Sequence, residues 1–132
     1  MRKGFTGTQE GMTWEQENKL LSLMSPTDEW HHGDCIGSDA HLHDLCEAVS
    51  GSRIVVHPRD NPKKRAFKVG HEMREPKPYI ERNHDIVNET EDLTATPKGF
   101  EEELRSGTWA TIRYARKLGR KVTIIYPDGM LG

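Results

Sequence analysis

Short runs of β-branched and apolar residues alternate along this chain with stretches of helical periodicity, and glycine-bearing turns follow several of the runs. Together these predict an α/β fold: a five-stranded parallel sheet covered by helices on both faces. The expected arrangement is a Rossmann-like three-layer α/β/α domain with strand order 3-2-1-4-5. A length of 132 residues suits one domain, residues 1–132.

The elements follow in order. Lys3-Gly-Phe-Thr6 reads as a first, weak strand. Thr13-Trp-Glu-Gln16 is a capping-box pattern and opens a helix carrying Leu20, Leu21, Leu23 and Met24. Glu29-Trp-His-His32 is a second weak strand, and from Ser38 a helix sets Leu42, Leu45, Cys46 and Val49 on one stripe. Arg53-Ile-Val-Val56 is a clear buried strand. A long basic loop follows at about 57–77, holding Arg59, Lys63, Lys64, Arg65, Lys68 and Arg74; it reads as a lid or binding loop, or as a solvated excursion. A third helix runs from about Pro78 to Thr90, Asp92-Leu-Thr-Ala-Thr96 is the fourth strand, a helix spans Ser106 to Leu118, and Val122-Thr-Ile-Ile-Tyr126 is the fifth strand.

The composition is polar, with 33% hydrophobic and 30% charged residues and a net charge of −2. That balance gives no general attraction to nucleic acid or to an anionic membrane, so any anion must be held by local geometry. Cys35 and Cys46 are too few for a disulfide framework. No leader is evident, and no apolar run approaches the roughly 20 residues that span a bilayer. The expectation is a cytoplasmic, soluble protein with no membrane partner.

In a parallel sheet, ligands bind beyond the carboxyl ends of the strands, so the turns there matter most. The first is Thr6-Gly-Thr-Gln-Glu-Gly11 and the second His32-Gly-Asp-Cys-Ile-Gly-Ser-Asp39, with Ser38 as N-cap and free N–H groups expected at the sheet edge. The last is Arg105-Ser-Gly-Thr108 at a helix start, where unpaired N–H groups and the helix dipole favour a phosphate. Ser106 and Thr108 add hydroxyls, and Arg105 a forked guanidinium. On the third helix Asn83 falls inside an apolar arc of Tyr79, Ile80, Ile86 and Val87; it either ties down a loop or touches a ligand, and Arg82 lies at the edge of that arc.

Two temptations are set aside. His32, Asp34, Cys35 and His41 lack zinc spacing, so no metal and no cofactor are expected; neutral imidazoles bonding to ligand or backbone are the simpler reading. Cys35 precedes a helix start, which would lower a thiol pKa, but without a fixed base such as His32 or His57 it defaults to a small buried thiol.

Gly4-Phe-Thr-Gly-Thr8, the segment 32–39, Tyr79-Ile-Glu-Arg-Asn83 and Arg105-Ser-Gly-Thr-Trp109 resemble the SLOG superfamily of Rossmann-like domains, whose relatives include the LOG phosphoribohydrolases and the DprA DNA-processing proteins. The likeness is to small stand-alone bacterial or phage members. It implies binding of a nucleotide or nucleotide derivative at the sheet edge. In the LOG motif Pro-Gly-Gly-x-Gly-Thr-x-x-Glu the Gly-Thr holds phosphate; here Gly107 and Thr108 match, but Thr111 stands at the catalytic Glu position.

The reading favours a small-molecule binder over an enzyme. Arg105, Ser106, Gly107 and Thr108 seat the phosphate. Thr6, Gly7, Thr8, Gly33, Asp34, Gly37 and Ser38 form the other wall, and Arg82 with Asn83 fixes sugar or base. The alternative is a nucleoside 5′-monophosphate N-glycosidase, in which Glu102 stands in for the missing carboxylate; Glu101, Glu103, Asp34, Asp39 and Glu10 are further candidates. Single-stranded DNA binding is the least favoured reading, because it needs a basic groove with stacking aromatics. Pairing into a homo-oligomer is compatible with the resemblance.

Overall fold

The computed structural model describes residues 1–48 and 52–132. Among them the chain forms β1 (Arg2–Gly7), α1 (Trp14–Leu23), β2 (Glu29–His32), α2 (Ser38–Ala48), β3 (Arg53–Val56), β4 (Glu72–Met73), α3 (Tyr79–Asn88), β5 (Asp92–Thr96), α4 (Gly107–Lys117) and β6 (Lys121–Ile124). Val49, assigned to the apolar stripe of the second helix, lies outside the described residues. The sheet order is β4-β3-β2-β1-β5-β6, and every named strand pair is parallel.

The sheet therefore has six strands, not five. The five anticipated strands keep the order 3-2-1-4-5, and the sixth, β4, is added at the outer edge from within the segment 57–77. Its two residues carry no apolar run, so hydrophobic patterning could not reveal it. Backbone bonds from His71 N to the Ile54 carbonyl (2.9 Å) and from Arg74 N to the Val56 carbonyl (2.9 Å) hold it beside β3. The segment is thus neither a lid nor a free excursion along this part of its length. At the other end, β6 stops at Ile124 because residues 126–129 turn back, with Gly129 at φ 84°, and Ile125 bridges Leu131.

Two cores sit on opposite faces. Phe5, Trp30, Ile54 and Val56 meet Leu20 of α1 and Leu42 and Cys46 of α2; Leu93, Ala95 and Ile124 meet Val87 of α3 and Trp109, Ile112 and Ala115 of α4. On α1 the buried line is Gln16–Leu20, while Leu21, about 100° further round, and Leu23, the last residue of the helix, remain exposed. On α3, Arg82, Ile86 and Val87 are buried, and Ile80 is 67% exposed, so the arc expected around Asn83 does not include it. No helix among the described residues is long and apolar enough to cross a membrane.

Gln16 joins both ends of this design. It completes the capping box with Thr13, and its Nε2 donates to the carbonyls of Pro97 (2.8 Å) and Ile125 (2.9 Å), at the ends of β5 and β6. Removing it leaves two buried carbonyls unpaired, at a cost of about 1–3 kcal/mol. Gln16→Ala is therefore expected to lower the urea-unfolding free energy by that amount, without changing the far-UV circular dichroism of the folded state.

Candidate functional site

β1 sits between β2 and β5: from β1 the chain runs one way along the sheet to β4, then crosses back through α3 to β5 on the other side of β1. Beyond the carboxyl ends of β1 and β5, where Gly7 pairs with Thr96, a cleft of about 440 Å³ opens. Three stretches wall it: Phe5 to Glu10 on one side; Gly33, Cys35 and Asp39 on the second; and Lys98, Glu103 and the start of α4 on the third. Tyr79, Arg82, Asn83 and Ile86 of α3 supply the remaining surface.

The start of α4 follows its sequence closely. Ser106 is the N-cap, and its hydroxyl accepts the Trp109 N–H at 3.3 Å. The N–H groups of Gly107 and Thr108 then make no hydrogen bond among the described residues, as befits a first helical turn facing a cleft. A side chain at Gly107 would overlap the Tyr79 hydroxyl, so glycine here lets α3 approach α4. Thr111, one turn on, returns its hydroxyl to the Gly107 carbonyl at 2.9 Å.

Ten of the thirteen anticipated binding residues line the cleft: Thr6, Gly7, Thr8, Gly33, Arg82, Asn83, Arg105, Ser106, Gly107 and Thr108. Asp34, Gly37 and Ser38 do not. Asp34 is fully buried; its carboxylate accepts Arg65 Nε at 3.0 Å and the Lys68 N–H at 2.8 Å, which spends it on anchoring the segment after β3. Gly37 adopts φ 86° and packs on the Gln9 carbonyl, where a side chain would overlap. That approach brings the Ser38 N–H onto the Thr8 carbonyl at 3.0 Å, so the expected free N–H at this helix start is already paired. Glu102 is likewise absent from the cleft: it accepts Arg113 Nη1 at 2.8 Å on the outer side of the loop, and its neighbour Glu103 faces inward.

Arg82 is the most constrained polar group of the site, at 3% exposure. Its Nη1 donates to the carbonyls of Gly33 and His57, its Nε to Asn83 Oδ1 at 2.7 Å, and its Nη2 reaches Cys35 Sγ at 3.9 Å. Asn83 thus accepts from its neighbour Arg82 on the same helix and borders the cleft. Cys35 does not have the lowered pKa that a position ahead of a helix suggests. Burial pushes its thiol up, Asp39 adds to the rise, and Arg82 opposes both.

Charge in the cleft is mixed. Arg82, Lys98 and Arg105 face Glu10, Asp39 and Glu103, with Lys98 and Glu103 3.8 Å apart. Lys98 is the residue that loop reading missed, although its place two positions after β5 marks it. Asp39 Oδ2 accepts the N–H groups of Gly33 (3.1 Å) and Cys35 (3.2 Å). Burial nonetheless raises its pKa to about 6, with the Arg82 charge and those two hydrogen bonds pulling the other way.

The histidines form two pairs outside the cleft. His32 Nε2 meets His43 Nδ1 at 2.9 Å on one face of β2, and His31 Nδ1 meets His57 Nε2 at 2.8 Å on the other. Burial and neighbouring cationic or imidazole groups depress His32 strongly and bring His57 to about 3, so both rings are neutral near pH 7. His41 Nδ1 instead takes the Met12 N–H at 3.4 Å, so His32, Asp34, Cys35 and His41 do not converge.

The Asp39 shift sets a pH dependence. Between its ordinary 3.8 and about 6 the folded chain keeps a proton that the unfolded chain has released, so this group's contribution to stability falls as pH rises through that window. The stability difference between wild type and Asp39→Asn is expected to move against wild type by on the order of 3 kcal/mol from pH 4 to pH 7. Denaturant curves of both proteins across that range measure it; a constant difference would contradict the assignment.

In comparisons with protein-family models, with curated proteins and with solved structures, nothing matches this chain, and the cleft is read from its own geometry.

Proposed function

We propose that the cleft binds a phosphate-bearing nucleotide or nucleotide-derived ligand, as a sensor, carrier or sequestering protein. The observation that carries this reading is the open first turn of α4: the Gly107 and Thr108 N–H groups face a cleft that Lys98, Arg105 and Arg82 also line. Free amides at a helix start, with flanking cations, suit an anion that is held by dipoles and directed hydrogen bonds. A volume of about 440 Å³ lies within the usual range of roughly 300–1,000 Å³ for small-molecule sites. All four segments that resemble the SLOG superfamily contribute to the lining, which supports taking this domain as a member of that group.

A second reading is favoured by one observation: Asp39, a buried carboxyl with a pKa near 6, lies at the cleft. A nucleoside-monophosphate N-glycosidase needs a group that protonates the departing base while water adds to the anomeric carbon. Asp39 suits that role better than Glu102, which is committed to Arg113.

Calorimetry with a panel of nucleoside 5′-monophosphates tests the binding. Arg105→Ala is expected to weaken it by about 1.5–3 kcal/mol, the scale of a hydrogen bond to a charged group. An unchanged affinity would remove the anion from this seat. Affinity should fall only modestly between low and physiological salt, since a steep slope is the mark of nucleic acid. Chromatography of the same mixtures separates the two readings. Nucleotide recovered intact supports the binder, whereas free base that no longer forms in Asp39→Asn supports the hydrolase.

A further inference from the structure

Three carboxyl groups line the cleft, and they are not equivalent. Glu10 is exposed, and Glu103 lies 3.8 Å from the Lys98 ammonium. Asp39 is 6% exposed and is fixed from behind: its Oδ2 accepts the N–H groups of Gly33 (3.1 Å) and Cys35 (3.2 Å). Its Oδ1 makes no hydrogen bond among the described residues, in a side chain that lines the cleft. Arg82 does not cap it, because that guanidinium spends its donors on two carbonyls, on Asn83 and on Cys35. One carboxylate oxygen is thus held in a set direction and left without a donor.

Asn83 supplies the complement. Its Oδ1 accepts Arg82 Nε at 2.7 Å, and its Nδ2 makes no hydrogen bond among the described residues. The same guanidinium stands beside both side chains: a Cβ on Gly33 would meet Arg82 Nη1 at 2.5 Å and Asp39 Oδ2 at 3.1 Å. Around Arg82 the cleft therefore offers one group that, when ionised, only accepts, and one whose free atom only donates.

Their place relative to the open turn of α4 decides which part of a ligand they meet. α4 follows β5 and Asp39 follows β2, with β1 alone between those strands. Two strand spacings amount to roughly 9–10 Å, less a hydrogen bond of about 3 Å at each end. A pentose adjoins the phosphate it carries, whereas the hydrogen-bonding edge of a base lies a full ring further on. The α2 end is itself closed to an anion, since the Ser38 N–H is paired with the Thr8 carbonyl and the Asp39 carboxyl occupies the first turn. A phosphate is left the α4 end, and the pentose the α2 end.

We propose that Asp39, together with Asn83, recognises the ribose diol of the ligand, so that the cleft selects ribonucleotides over deoxyribonucleotides. The inference rests on the nucleotide-binding reading given above, with the phosphate on α4. One hydroxyl donates to Asp39 Oδ1, and its vicinal neighbour accepts from Asn83 Nδ2. A sugar lacking either hydroxyl leaves one of these groups unmet. The ligand also supplies what burial withholds. The Asp39 pKa is pushed up to about 6 chiefly because its charge is cut off from water, and a bound hydroxyl adds a donor that favours the ionised form.

The test is calorimetry at pH 8, where Asp39 is ionised, with the 5′-monophosphates of adenosine, guanosine, cytidine and uridine and the 2′-deoxy and 3′-deoxy forms of each. A ribonucleotide that binds is expected to do so about 10- to 100-fold more tightly than at least one of its deoxy forms. This comparison uses the unaltered protein and depends on no variant. Asp39→Asn keeps the bonds to Gly33 and Cys35 through its carbonyl oxygen and turns an uncharged amide to the cleft. In that variant the ribonucleotide should lose about tenfold in affinity while its deoxy form loses none, which closes the gap. Equal affinity for a ribonucleotide and both its deoxy forms, or a gap that persists in folded Asp39→Asn, would overturn the inference and leave nucleotide binding standing. Failure of every one of these nucleotides to bind would overturn the nucleotide reading itself, and this inference with it.

Discussion

The guanidinium of Arg82 is the constraint around which the rest is arranged. Taking a guanidinium out of water costs several kcal/mol unless its donors are met. Here they are met by the carbonyls beyond β2 and β3, by Asn83 and, more weakly, by Cys35. The ring of Tyr79 lies 5.4 Å from the same charge. These bonds require Gly33 to lack a side chain, because a Cβ there would overlap the guanidinium. One cation therefore fixes the first turns of α3 to the ends of two strands and brings Tyr79 against Gly107. It also sets the electrostatic surroundings of Asp39.

Much of this could be read from the residues. Strands β2, β3 and β5 fall where β-branched or aromatic runs place them, and the helix starts after Thr13 and Ser106 follow their capping residues. Ser38, expected as an N-cap, is instead the first residue inside α2, and its buried hydroxyl meets no partner among the described residues. The convergence of the turns after β1, β2 and β5 also follows from the sheet order. What escaped reading depends on partners distant in sequence. β4 exists through backbone pairing with β3, and Asp34 is claimed by Arg65 and Lys68, more than 30 positions away. Glu102 and Glu103 are chemically equivalent in the sequence, and only the ion pair with Arg113 decides which one turns outward. The histidine pairs lie 11 and 26 positions apart and give no local signal.

The glycines of the cleft are sites of close packing. Gly7 is crowded by Ser38 and Thr96, Gly33 by Arg82, Gly37 by the Gln9 carbonyl, and Gly107 by Tyr79. Each marks a point where two elements press together, so the rim is built by close packing of protein on protein. A rim of this kind holds its amides in place, which would lower the ordering cost of the binding proposed for the cleft.

Both margins of the sheet are closed to further strands. On one side β4 is only two residues long and is bracketed by the Arg53–Glu72–Arg74–Glu89 ladder of opposite charges. On the other, β6 is covered by the chain folding back on itself, with Ile124 and Gly132 exchanging backbone bonds of 3.1 and 2.8 Å. A short, charged or occupied border denies a neighbouring molecule the unpaired amides that template edge-to-edge aggregation. Along the covered part of these borders, little free edge is left on which a continuous intermolecular sheet could be built.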